Sequence, residues 1–79
     1  MANIIVRDQD ILGGEPVFRG TRVPFQALLD YLEHGKPLQE FLEEFPSVTY
    51  TEAIAALEEA KTILFASLEC QKSGQPKLP

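Results

Sequence analysis

The side chains that could do chemistry are few, and their spacing decides against most of it. His34 is the only histidine and Cys70 the only cysteine. Hydrolytic or transfer chemistry needs a nucleophile with a base, paired carboxylates in a cleft, or a metal. His34 stands just before Gly35, which suits a helix C-terminus, where a partly cationic ring meets the helix dipole. Cys70 lies near the end of a long helical stretch with no CxxC pattern and no neighbouring histidine, which reads as an inert thiol. Glu43-Glu44 and Glu58-Glu59 are adjacent pairs that point in different directions on a helix, so they read as solvated faces rather than acid/base dyads. Gly13-Gly14 and Gly20 match neither the GxxxxGK[ST] loop nor the GxGxxG fingerprint. The expectation is a protein without catalytic residues, metal or cofactor, which works by binding.

Two sets of residues remain as binding candidates. The first is Arg19, Thr21 and Arg22, the place where a nucleic acid would be met. The start of the third helix, Tyr50-Thr51-Glu52-Ala53, carries no Arg, Lys, Asn or Gln for bidentate base readout. Any DNA contact is therefore expected from the N-terminal arm and is expected to be weak. The competing reading of that set is a strand-end surface with Thr21 bonded to its local backbone. The second set is Ile63, Leu64, Phe65 and Leu68, with Glu58 and Glu59 beside them. Three consecutive apolar residues on a helix face three directions, and one small core cannot take them all. An exposed apolar patch of that kind marks an interface. A second copy, a foreign protein or the N-terminal arm could cover it.

The chain has 79 residues, twelve acids against seven Lys and Arg, and a net charge of −5. At this length a domain buries only about 60% of its unfolded surface and is marginally stable alone. One cysteine allows no internal disulfide, so oligomerisation or a partner is the expected stabiliser, with a homodimer favoured. The longest apolar run near the start, Ile4-Ile5-Val6, is too short for a signal peptide or a membrane span, and a reduced cytoplasmic setting is the expectation. Residues 1–23 are neutral, whereas 24–71 hold nine acids against Lys36 and Lys61. The acidic helical body argues against affinity dominated by phosphate contacts.

The elements that must position these residues follow from period and punctuation. Ile4-Ile5-Val6-Arg7 and Pro16-Val17-Phe18-Arg19 read as short extended stretches around a Gly13-Gly14 turn, with Thr21-Arg22-Val23 as a continuation of the second. Two strands are marginal in water, so this arm must pack on helices or on another chain. Pro24 opens a helix in which Phe25, Leu28, Leu29 and Leu32 make one stripe, ended by Gly35. Pro37 opens a second, with Leu38, Phe41, Leu42 and Phe45, stopped by Pro46. Thr49 and Glu52 form a capping-box pattern before a third helix, in which Tyr50, Ile54, Leu57, Leu64 and Leu68 share one side. With no breaker before Ser73-Gly74 it runs about 22 residues, roughly 33 Å. The expected layout is one mainly α domain over 1–72, with 1–23 as a β-hairpin or arm and 24–72 as helices. Residues 73–79 are expected to be a disordered tail.

Several motifs occur together in order: Gly13-Gly14-Glu15-Pro16, then Arg19-Gly20-Thr21-Arg22-Val23-Pro24, then Gly35 onward to Phe45-Pro46-Ser47-Val48-Thr49, and Thr51-Glu52-Ala53-Ile54-Ala55-Ala56-Leu57. Over Ile11–Ala60 the chain thereby resembles a family of small bacterial domains often read as antitoxins. Pro37 departs from the family pattern where Ser or Thr is common, and Glu15 where Lys is frequent. The resemblance implies a three-helix, homeodomain-like helix-turn-helix core with a short N-terminal β element. It also implies a toxin–antitoxin setting, commonly beside a PIN-like ribonuclease. The expected function is that of a type II antitoxin that binds and neutralises such a nuclease and autoregulates its own expression. The alternatives are a helix-turn-helix transcriptional regulator and a homodimeric interaction module without a toxin.

Overall fold

The structure, a computed structural model, describes residues 3–71 of the chain. Strand β1 (Ile5–Val6) pairs antiparallel with β2 (Val17–Phe18), Ile5 opposite Phe18 and Val6 opposite Val17. Between them the chain closes a 3-10 turn, Leu12–Gly14, with φ of 50°, 65° and 92° at its three residues. The Arg7 Nε donates to the Gly14 carbonyl at 2.7 Å and ties the turn back to β1. Gly14 is buried, and a Cβ there would stand 2.9 Å from the Gln9 amide nitrogen.

The segment Thr21–Val23 does not prolong β2. Gly20, at φ 79°, reverses the chain. The Phe18 N–H then donates to the Val23 carbonyl at 3.0 Å, and Val17 bridges Pro24. The loop between them is closed by Thr21, whose hydroxyl donates to the Phe18 carbonyl at 2.8 Å and accepts the Val23 N–H at 3.0 Å.

Helix α1 (Phe25–Glu33) starts after Pro24 and α2 (Leu38–Glu44) after Pro37. In both cases the proline stands at the cap position, one residue before the first helical turn. Helix α1 ends in a Schellman arrangement: Gly35, at φ 76°, donates to Leu32 and Lys36 donates to Tyr31. The His34 ring nitrogen Nδ1 lies 2.7 Å from the Asp30 carbonyl, a satisfied helix-end position. Helix α3 (Tyr50–Gln71) follows the turn Phe45–Thr49. Its start carries the capping box in full: the Glu52 N–H donates to the Thr49 Oγ1 and the Thr49 N–H to the Glu52 Oε1, both at 3.1 Å. The architecture is thus mainly helical, three helices with a short two-stranded antiparallel hairpin before them, as the periodicities predict.

The core is aromatic. Phe41 is fully buried and meets Phe18 at 6.0 Å, Tyr31 edge-to-face at 5.6 Å and Phe45 at 5.0 Å between ring centroids. Phe18 adds an edge contact with Phe25 at 5.9 Å. Such pairs contribute about 0.5–1.5 kcal/mol each beyond their buried area. Tyr31 therefore faces inward while Leu32, at the end of the predicted stripe, is exposed. Helix α1 turns toward the large rings of α2, and the small gain from Leu32 is given up.

Helix α3 shows the larger departure. Its fully buried residues are Ala53 and Ala56, packed against the cluster of Phe18, Leu28, Phe41 and Val48. Alanines let its backbone approach closely. Of the stripe of larger residues, Leu57 packs partly against this cluster, while Tyr50, Ile54, Leu64 and Leu68 are exposed.

Candidate partner-binding surface

Both candidate sets from the sequence lie outside the core, and they differ in how far their side chains are engaged within the fold. In the arm, the Thr21 hydroxyl is spent on the Phe18–Val23 loop. The Arg19 guanidinium donates to the Asn3 carbonyl, and the Arg19 N–H donates to the Ile4 carbonyl at 2.7 Å. Arg22 is exposed. The three residues are neighbours on one loop, and two of them serve to close it.

The second set behaves differently. Ile63 is 62% exposed, Leu64 55%, Phe65 57% and Leu68 48%. Every described residue from Lys61 to Glu69 is exposed, so the second half of α3 projects beyond the packed body. The N-terminal arm reaches only its beginning. The Ile5 N–H donates to the Glu59 Oε1 at 2.8 Å, a partly buried bond that fastens the free edge of β1 to α3. Just past that bond, an open groove runs between Asn3 and Ile4 on one side and Ala55, Glu59, Thr62 and Ile63 on the other. The arm thus faces Ile63 across this groove and leaves Leu64, Phe65 and Leu68 to solvent.

Glu59 and Glu58, adjacent in sequence, have different tasks. Glu59 holds the strand edge. Glu58 is exposed and pairs with Lys61 at 3.0 Å. At 3.6 residues per turn, Glu58, Thr62 and Phe65 follow one another along one flank, whereas Ile63, two residues from Phe65, stands with Glu59 on another side of the helix. Leu57, Leu64 and Leu68 share a third side, as their spacing predicts. Sequence reasoning missed the Glu59–Ile5 bond, which links positions 54 residues apart and has no local signal.

Among the described residues, no group of three His, Cys, Asp or Glu side chains is placed to hold a metal ion, and no helix is long and apolar enough to cross a membrane. The Cys70 side chain and the expected tail at 73–79 lie outside the described residues.

The chain is similar to proteins of two bacteria. The chain is 42% identical over 45 residues to an uncharacterized protein, y4eO, of Sinorhizobium fredii (strain NBRC 101917 / NGR234), a match covering 57% of this chain and 20% of that protein. The chain therefore spans only a small part of that relative's length. Its fold is similar to the crystal structure of a DUF433 member protein from Anabaena variabilis ATCC 29413, with a TM-score of 0.66 and 30% identity. That match covers 76% of this chain and 59% of the other. The family model described as "Protein of unknown function (DUF433)" matches residues 5–60, hairpin, three-helix core and the first half of α3 together, and the chain belongs to that family.

Proposed function

We propose that this protein is a binding module of the antitoxin type, which occupies and neutralises a basic, PIN-like ribonuclease in the cytoplasm and performs no catalysis itself. The observation that carries the reading is the projecting half of α3. Phe65 and Ile63 stand more than half exposed on a helix that the rest of the fold holds out into solvent. Glu58 lies exposed beside Phe65, and Glu59 borders the groove beside Ile63. An apolar anchor rimmed by acids suits a nuclease, whose RNA channel must present positive charge. Buried aromatic anchors dominate binding energy, often by about 2 kcal/mol or more, whereas rim charges mainly tune association rate.

The test is RNA cleavage by the nuclease encoded beside this gene, titrated with the protein. Wild type is expected to inhibit at a fixed ratio. Phe65→Ala should weaken inhibition chiefly through faster dissociation, and Glu58→Gln should slow association and flatten its salt dependence. A wild type that inhibits at no ratio overturns the antitoxin reading. Equal inhibition by Phe65→Ala overturns the choice of surface.

A further inference from the structure

One side of α3 carries a pattern that the core uses only in part. Tyr50, Ile54, Leu57, Lys61, Leu64 and Leu68 are separated by four, three, four, three and four residues. That is the a/d spacing of a left-handed coiled coil, which keeps one seam facing a partner helix. A helix that needed the whole stripe for its own core would bury it. Here only Leu57 packs partly against the core, Tyr50 is 62% exposed, Leu64 55% and Leu68 48%, and the fully buried residues of α3 are Ala53 and Ala56.

We propose that a second copy of this chain covers the stripe, the two α3 helices running antiparallel. The charge at the centre of the stripe decides both the occupant and the direction. Lys61 is the only charged residue at a seam position. A parallel pair would set Lys61 against Lys61, two ammonium groups facing one another in an apolar seam. An antiparallel pair instead stacks each a position on a d position. Tyr50 then lies opposite Leu68 of the second copy, Ile54 opposite Leu64, and Leu57 opposite Lys61. Every apolar residue of the stripe finds a complement in the same sequence. The ammonium of Lys61 emerges beside Glu58 of the second copy, which can exchange its present intrachain pair for an interchain one. Glu52 and Glu59 stay off the seam, the first in the capping box and the second on the Ile5 N–H. The geometry also accounts for the length of α3: the projecting half of each copy lies along the exposed Tyr50 and Ile54 of the other. Ile63 lies outside this seam and Phe65 borders it, and the pairing is argued from the stripe alone and does not depend on the function proposed above.

Sedimentation equilibrium of the full chain at tens of micromolar should report twice the 8.8 kDa chain mass. Leu64→Glu, at a position 55% exposed, should keep the far-UV circular dichroism of the folded chain and weaken dimerisation by at least a hundredfold. Direction is read by crosslinking in a Cys70→Ser background. Ile54→Cys mixed with Leu64→Cys should give the mixed disulfide in preference to either self-linked pair. A chain that stays monomeric into the millimolar range overturns the proposal, and a foreign helix then becomes the occupant to seek. A dimer indifferent to Leu64→Glu, or one in which Ile54→Cys links chiefly to itself, overturns it as well.

Discussion

The bond from the Ile5 N–H to Glu59 is a long-range polar contact between the arm and α3, and removing its acceptor should loosen the arm while leaving the helices intact. In Glu59→Ala the N–H of Ile5 loses a charged acceptor at 2.8 Å in a partly buried place. A hydrogen bond to a charged group contributes about 1.5–3 kcal/mol net, and partial access of water to the site reduces this to about 1–2 kcal/mol. For a domain of this size such a loss lowers Tm by about 5–15 °C. With a urea m-value of about 1 kcal/mol/M, the midpoint falls by about 1–2 M. The arm should respond more than the body. Amide exchange at Ile5 should accelerate by about tenfold, since 1.4 kcal/mol is a factor of ten, while Leu28 and Phe41 change only as far as global stability does. Glu59→Gln keeps a neutral acceptor and should lose about half as much. Glu58→Ala, which breaks only an exposed ion pair, should lose less than about 0.5 kcal/mol. All variants are compared at equal chain concentration, because self-association would raise apparent stability. If Ile5 exchange in Glu59→Ala matches that in Glu58→Ala, the bond does not hold the arm and the reasoning fails.

Three further outcomes follow from the fold. Phe41→Ala removes the ring that joins Phe18, Tyr31 and Phe45, a loss of about 3–5 kcal/mol, against a total of about 0.05–0.15 kcal/mol per residue; a thermal midpoint unchanged in that variant would contradict the placement of the core. Gly14→Ala forces a Cβ onto φ 92° and into contact with Gln9, at a cost of about 1–3 kcal/mol, and adding Gln9→Ala should recover only the contact part, as read by urea midpoints. DNA binding is expected to be weak: Arg22→Ala should reduce the salt slope by about 0.9, whereas Thr21→Ala should lower stability through its loop without changing the slope, and base-specific loss from Thr51→Ala in a gel-shift series would show instead that α3 reads DNA.

The sequence by itself determined the local elements, because their signals are local. Pro24 and Pro37 mark the helix starts, Gly35 sets the left-handed residue that ends α1, and Thr49 with Glu52 closes the capping box before α3. The hairpin at 5–18 follows from two β-branched stretches around a glycine turn, and the exposure of Ile63, Leu64 and Phe65 follows from three adjacent directions on one helix. Only the tertiary structure decided which faces the core would take. The spacing of Tyr50, Ile54, Leu57, Leu64 and Leu68 shows that they share a side, but which side packs inward depends on the shape offered by the rings of Phe18 and Phe41. That shape admitted the alanines of α3 and part of Leu57, and left the rest of the larger stripe outside. In the same way Thr21 and Glu59 carry side chains equally able to meet a ligand or a backbone group. The return of the chain at Gly20 brought the Val23 N–H to Thr21, and the docking of the hairpin brought the Ile5 N–H to Glu59. A hydrogen bond between positions distant in sequence has no period or neighbour to announce it, so the division of this surface into structural and available residues exists only once the chain has folded.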